Sequence, residues 1–424
     1  MKFLKKILEE VKPSEEEVRE LKEVANKVID KIKEFSDNSV LEVLHLGSSA
    51  RNTNLKNDFD IDIFVLFDKS LSIEELERKG LELGKKALES LGGSYVISYA
   101  SHPYVKGKLG KYNIDIVPCY KIEFGEKIIS AVDRTPLHHK FLVERLNEKL
   151  CDEVRLLKAF LKSLNIYGSD VKTKGFSGYL CELLILKYGS FLNLLQDAQN
   201  WRLRKVIILD DIYKIYENPK FKEFDDPLIV YDPTDLNRNV ASPLSKENFC
   251  KFVYYSWLFL SEPKEEFFYN YHKRLEEELN EREHGFIVKL EFPKEEVDDI
   301  VYPQLEKLEK SINKHIIKND FVPIRSKCYT TDNYCYIEWE FLVYELPNVK
   351  VIEGPPIFAK ERVKSFIRKH KKTFVKDCKL CCYEERKYKN VLELFKDILN
   401  KKVPIAKTKH ISLEKGKLIW SQVQ

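Results

Sequence analysis

Residues 58–68 read DFDIDIFVLFD. In a strand, successive side chains point to opposite faces. Phe59, Ile61 and Ile63 therefore share one face, and Asp58, Asp60 and Asp62 share the other. Carboxylates about 6–7 Å apart along a strand repel one another by roughly 2–3 kcal/mol at an effective dielectric of about 20. A strand that runs on into IFVLF needs that repulsion compensated, and a bound cation does so. Asp58 falls where a loop meets the strand and reads as a loop-end residue, not a ligand.

Working outward, the preceding residues 44–57 are LHLGSSARNTNLKN. A Gly-Ser turn after a buried strand, here Gly47 and Ser48, lets backbone amides and a hydroxyl approach a phosphate closely. Further on, YNIDIVP (112–118) is a second apolar strand carrying one carboxylate, Asp115. Asp115 supplies what Asp60 and Asp62 lack to hold two metal ions. Magnesium takes hard oxygen ligands, and a metal pair can clamp the attacking and leaving oxygens of an in-line phosphoryl displacement.

Composition narrows the class. The 424 residues are enough for roughly three domains, and 43% of them are hydrophobic. The 72 basic and 68 acidic residues leave a net charge of only +4, so bulk charge does not hold this chain to nucleic acid; a polyanion site must come from local clustering. High Lys/Glu content and a single Met fit a thermophile's usage. The nine cysteines have no disulfide-framework spacing, which predicts a reduced, cytoplasmic protein. Cys378, Cys381 and Cys382 form one C-x-x-C without a second ligand pair, so no zinc site is read there. The opening MKFLKKILEEVKPSEEE is too charged for a signal peptide, and no apolar run is long enough for a membrane span.

Coarse periodicity gives the organisation. Ser14 with Glu17, and Ser72 with Glu75, are capping boxes opening helices. Between and after them lie the strand at 40–46, the acidic strand, and the strands of GSYVISYASHPYVKGKLGKYNIDIVPCY. Helical patterns follow, with EVRLLKAFLKSLN placing Val154, Leu157, Phe160, Leu161 and Leu164 on one stripe, and YLCELLILKYGSFLNLL reading as one largely buried helix. The loop YDPTDLNRNVASP (231–243) interrupts them. Beyond a charged segment, GFIVKLEF, YPQLEKLEKSINKHI and strands near 322–330 and 334–344 suggest a β-α-β-β unit of ferredoxin-like type. A basic helix, AKERVKSFIRKHKKTFVK, comes next.

The carboxylates and the Gly-Ser turn resemble the polymerase-β-type nucleotidyltransferase superfamily. HPY (102–104), DIVPCY (115–120), SAVDRTPLHHKF (130–141), EVRLLKAFLK (153–162), NIYG (165–168), GFSGYLCELLI (175–185) and RNVA (238–241) are together similar to the archaeal (class I) CCA-adding enzymes, a family of tRNA nucleotidyltransferases. The likeness is dense over residues 40–260, looser over 285–375, and is not traced beyond about 380. It implies an α+β multidomain chain: a polymerase-β-like catalytic head (1–140), a mainly helical neck completing the nucleotide pocket (141–262), a charged helix or linker (263–284), a ferredoxin-like RNA-binding body (285–350) and a short basic helical tail (351–424).

It also implies an activity: template-independent transfer of CMP, CMP and AMP from CTP and ATP to the tRNA 3′-hydroxyl, with pyrophosphate leaving and two Mg²⁺ in the cycle. By this resemblance Asp60, Asp62 and Asp115 are catalytic metal ligands. Gly47, Ser48 and Arg51 meet the triphosphate. His138, Lys158 and Tyr167 contact the nucleotide, the choice between His138 and His139 being open, and Arg238 reads the base edge. Asn54 and Asn57 depart from the family, where Trp and Gly are common; Asn tolerates a left-handed turn, so the loop is expected to survive. The implied partner is tRNA, gripped by its acceptor and T arms; a homodimer is left open. The local basic clusters for that grip are Arg202, Arg204 and Lys205 of WRLRK, and Arg362, Lys364, Arg368, Lys369 and Lys371 within 360–376, which hold eight basic residues and one acid. Rival readings are a poly(A)-type polymerase and an inactive RNA-binding protein on the same scaffold.

Overall fold

The computed structural model describes residues 2–99, 103–280 and 285–423. His102 of the HPY motif and residues 281–284 of the charged segment lie outside the described residues. The chain divides into two compact units, Met1–Leu275 and Glu276–Gln424.

The first unit opens with α1 (Lys2–Val11) and α2 (Glu15–Phe35), the latter started by the Ser14–Glu17 capping box. There follow β1 (Val40–Leu46), a single helical turn α3 (Gly47–Ala50), β2 (Asp60–Phe67), α4 (Ile73–Ser90), β3 (Ser94–Tyr99), β4 (Pro103–Leu109) and β5 (Tyr112–Tyr120). The strands form one sheet in the order β1-β2-β5-β4-β3. Only β2 and β5 pair in parallel; the other neighbours are antiparallel. Alternation along the strands decides the packing. Ile61, Ile63, Val65, Ile114 and Ile116 bury one sheet face against Leu21, Val28 and Ile32 of α2 and Leu76, Leu83 and Leu88 of α4. The aspartates are left on the opposite face, beside Phe64, Leu66 and Val117.

The rest of this unit is helical: α5 (Arg134–Val143), α6 (Glu148–Ser163), α7 (Gly178–Tyr188), α8 (Phe191–Ala198), α9 (Asp210–Ile215) and α10 (Lys246–Ser261). A small sheet joins β6 (Lys205–Ile207), β7 (Leu228–Asp232) and β8 (Asp235–Asn239). The single helix expected over YLCELLILKYGSFLNLL is two. Gly189 takes a left-handed φ of 75° that ends α7, and the Ser190 side chain caps α8. The expected head of 1–140 also differs from the packing: Leu4 and Ile7 of α1 join the helical core, and α5 straddles the boundary, Leu137 facing the sheet core and Phe141 the helical one. Within the segment expected to be a linker, Phe267 and Phe268 are buried in that helical core. Helix α11 (Tyr271–Asn280) crosses the division between the units.

The second unit has β9 (Gly285–Pro293), α12 (Asp298–Lys318), β10 (Pro323–Thr330), β11 (Tyr334–Phe341), β12 (Val349–Pro356), α13 (Lys360–Lys369), β13 (Thr373–Lys376), β14 (Lys379–Glu385), α14 (Val391–Leu399) and β15 (Lys417–Val423). Its main sheet runs β10-β11-β9-β15, all antiparallel, and Val301, Leu305, Leu308, Leu394 and Phe395 of α12 and α14 bury against it. Residues 351–424 are therefore no short basic helical tail. Their last strand and α14 complete a β-α-β-β-α-β unit, and only 349–385 form an insert, the sheet β12-β14-β13 with α13. The basic helix is shorter than expected: it ends at Lys369, and Phe374 lies on β13, its ring stacked on Tyr383. Leu394, Phe395 and Ile398 of α14 give no sign in local sequence that distant strands will cover them.

Candidate active site

The parallel register of β2 and β5 sets Asp62 directly beside Asp115. Antiparallel pairing sets Leu46 opposite Asp62 on the other side, so the chain turns at Gly47 against that carboxylate. Gly47 has φ +77°, and a Cβ there would lie 1.9 Å from Asp62 Oδ2. Only glycine fits both conditions. The Asn113 side chain donates to Asp60 Oδ1 (2.8 Å). His45 Nε2 bonds Ser49 Oγ (2.9 Å), which donates to the Asp60 carbonyl (2.9 Å), fixing the start of the strand from below.

The electrostatics are those of crowded carboxylates. Burial, then Asp115 and Asp60, push the Asp62 carboxyl up to about 7. Burial also raises Asp115, although Lys106 across the strand pair opposes it. Asp58, just before β2, is raised by burial and by Asp60. Asp115 Oδ1 is buried without a hydrogen-bond partner. Among the described residues no three His, Cys, Asp or Glu side chains form a closed metal-binding group. An orphaned carboxylate oxygen and a strand face of repelling acids nonetheless fit a hard divalent cation whose shell is completed by phosphate oxygens and water.

On the cationic side, loop 51–54 is docked on the helices. Arg51 makes a two-pronged pair with Glu182 of α7 (3.1 and 3.0 Å), and Thr53 Oγ1 donates to the same carboxylate (2.5 Å). Arg155 of α6, fully buried, donates to the carbonyls of Asn52 and Asn54. Lys158 Nζ donates to the Thr53 carbonyl (2.8 Å) and burial lowers its pKa. The Tyr167 hydroxyl stands 3.2 Å from where a side chain on Gly178 would begin, with Lys158 Nζ 3.7 Å from that point. Lys158, Tyr167 and the N-terminus of α7 thus converge. Asn57 takes the left-handed φ of 63°, and Asn54 is buried with its amide nitrogen unpartnered.

His138 and His139 occupy different surroundings. His138 Nε2 bonds Asp232 Oδ2 (2.8 Å), and its ring stacks on Tyr179. Burial and the nearby Arg51 hold His139 at about 4. Arg238 Nη1 donates to the same Asp232 oxygen (2.8 Å) while its side chain stays 35% exposed. The structure therefore gathers Gly47, Arg51, Asp60, Asp62, Asp115, Lys158 and Tyr167 around the head and α6–α7, and links His138 to Arg238 through Asp232. The basic clusters stand elsewhere. Arg202 and Arg204 are exposed, with Arg204 paired to Asp225 and Lys205 to Asp197. Arg362, Lys364, Arg368, Lys369 and Lys371 are all exposed on or just beyond α13.

Sequence reasoning passed over Arg155, Glu182 and Asp232. The first two carried a signal: each is a charged residue inside an apolar helical run. Asp232 had none, because its partners come from three separate segments.

A five-stranded mixed sheet, a glycine turn and carboxylates in register across a parallel strand pair define a nucleotidyltransferase head of polymerase-β type within an α+β chain. Residues 25–138 match the nucleotidyltransferase domain family, 152–269 the second domain of tRNA nucleotidyltransferases, and 284–420 the C-terminal domain of CCA-adding enzymes. The chain is 63% identical to the CCA-adding enzyme of Methanocaldococcus jannaschii, covering 98% of this chain and 95% of that protein. It is 40% identical to that of Archaeoglobus fulgidus, over 91% and 86% of the two chains. A solved structure of the Cid1 poly(U) polymerase aligns with 63% of this chain and 96% of its own at 15% identity, with a TM-score of 0.48. The chain belongs to the family of CCA-adding enzymes. Divalent metal ions are general to such nucleotidyltransferases. Among the described residues no helix is long and apolar enough to cross a membrane.

Proposed function

We infer that the chain completes tRNA by adding CMP, CMP and AMP from CTP and ATP to its 3′-hydroxyl without a template. The hydroxyl oxygen forms the new bond to the α-phosphorus, the bond from that phosphorus to the β-phosphate oxygen breaks, and pyrophosphate leaves. The observation that carries the site reading is Asp62 in register with Asp115, one residue from the Gly47–Ser48 turn.

Asp60, Asp62 and Asp115 are the residues that would hold Mg²⁺. Bound there, the ions would offset the charge of the triphosphate and favour loss of the hydroxyl proton. Gly47 and Ser48 bring backbone and hydroxyl donors to the triphosphate, and Arg51, braced by Glu182, brings a guanidinium whose plane is fixed. Lys158 and Tyr167 line the nucleotide on the helical side, and His138 and Arg238 stand toward its base. The work of these groups is positioning and charge stabilisation. Asp115 is placed to assist proton removal. The basic residues of WRLRK and α13 position tRNA through phosphate contacts, which carry no sequence information and suit an enzyme that accepts every tRNA. The neck, the RNA-binding role of the second unit and Mg²⁺ as the particular cation belong to this reading.

The test uses tRNA lacking its terminal CCA, with Mg²⁺ and CTP alone, ATP alone or both, products being resolved at single-nucleotide length. Two additions with CTP and a third only with ATP present are expected, and Asp62→Ala should lower turnover more than about a hundredfold. Near-normal turnover by Asp62→Ala would overturn the site assignment.

A further inference from the structure

Asp232 closes β7 and is wholly buried, yet nothing in the reaction above employs it. Its Oδ1 accepts from the Thr234 backbone N–H (2.9 Å), the Thr234 hydroxyl (2.8 Å) and the Tyr179 hydroxyl (3.2 Å). Its Oδ2 is shared by His138 Nε2 and Arg238 Nη1, each at 2.8 Å. Burial alone would raise this carboxyl, but His138, Arg238 and the Thr234 N–H outweigh burial and hold it well below the usual carboxylate range. The group is ionised.

Such a carboxylate is costly to bury unless every lone pair is engaged, and here the engaged partners come from α5, α7 and the β7–β8 hairpin. The two oxygens also have distinct jobs. Oδ1 is locked by its own turn and Tyr179, so the carboxylate plane is fixed before Arg238 arrives. Oδ2 then takes one guanidinium nitrogen. Arg238 is partly exposed, and a free arginine there would spread over many rotamers. Anchored through Nη1, it is held to few rotamers, and its remaining N–H donors are confined in direction. His138 is fixed by the same oxygen and by its stack on Tyr179 at 4.0 Å between ring centroids.

We propose that Asp232 is a specificity-positioning residue: through Oδ2 it orients Arg238 and His138 together, so that the choice between cytosine and adenine depends on a carboxylate that touches neither. This rests on the reading that Arg238 faces the base. Discrimination between two hydrogen-bonding patterns requires donors in fixed places, since a mobile guanidinium satisfies either edge.

The experiment measures kcat/KM for CTP and ATP on two substrates, tRNA lacking all three nucleotides and tRNA lacking only the terminal A. The selectivity ratio is the readout, because a folding defect scales both nucleotides alike. Asp232→Asn is expected to reduce the correct-to-incorrect ratio about tenfold on both substrates. Arg238→Ala should reduce it at least as much, and Asp232→Asn should cost less in the Arg238→Ala background than it does alone, the remainder passing through His138. If Arg238→Ala changes selectivity and Asp232→Asn does not, or if the two losses multiply, the positioning role is overturned. If Arg238→Ala leaves selectivity unchanged, the reading of Arg238 itself falls and takes this proposal with it. Should Asp232→Asn fail to fold, Thr234→Val removes one bond to Oδ1 and is expected to lower the ratio about twofold to threefold in the same direction. An unchanged ratio in that variant overturns the proposal.

Discussion

At the scale of single residues, the head holds ionisable groups displaced in opposite directions. Asp62 is raised to about 7 by burial and by neighbouring carboxylates, so the folded protein holds a proton there that the unfolded chain releases above about pH 4. Its contribution to stability falls as pH rises through that window. His45 and His139 are held at about 4, chiefly by burial, while an unfolded histidine titrates near about 6.5. Between those values the unfolded state binds more protons, so their contribution is complete above about pH 6.5 and is lost as pH falls toward about 4. The paired substitution His45→Gln and His139→Gln is expected to flatten the decline in stability between about pH 6.5 and 4.5 by about 1–2 kcal/mol per site, allowing for their partial exposure. Urea midpoints across that range measure it, and an unchanged slope would contradict the burial argument.

At the scale of elements, the site depends on loop 51–54 being clamped to α6 and α7. Arg155 supplies the part of the clamp that holds the Asn52 and Asn54 carbonyls, from a fully buried side chain with Asp152 as its ion partner at 2.7 Å. Arg155→Met keeps the apolar bulk but leaves the Asn52 and Asn54 carbonyls unpaired. The expected cost is about 2–4 kcal/mol of stability, with KM for the nucleotides rising about tenfold and kcat falling less, since the loop carries Arg51 and Thr53. Chemical denaturation and steady-state kinetics check both; a stable variant with unaltered KM would show the clamp to be dispensable.

At the scale of the whole molecule, each unit is closed by contacts between distant parts of the chain. The second closes only when β15 pairs with β9 along 417–423, more than a hundred residues away in sequence. Truncation before Lys417 should leave nucleotide binding by the first unit intact. It should also raise amide exchange in β9 about a hundredfold, because that strand becomes an edge. Hydrogen exchange resolved by segment measures the effect, and unchanged protection of β9 would show that β15 adds nothing to its pairing. With a net charge of only +4, tRNA binding through the proposed local patches is expected to weaken as salt rises.

Local order was legible in the sequence. The period-2 aspartates, the Gly-Ser turn and the capping boxes at Ser14 and Ser72 are short-range signals, because strand alternation, phosphate access and helix starts are set by residues a few positions apart. The candidate carboxylates stood out for the same reason: three acids in apolar strands carry a cost that calls for a ligand. Tertiary structure alone decided what spans long sequence distances. It paired Asp62 with Asp115 in parallel, brought Glu182 to Arg51 across 131 positions, gave Asp232 its partners from three segments, and turned an expected tail into the closing strand of a sheet. Each is a buried polar or edge contact whose two halves look ordinary apart. Only when both are withdrawn from water does an unpaired carboxylate or strand edge become costly enough to dictate its neighbour.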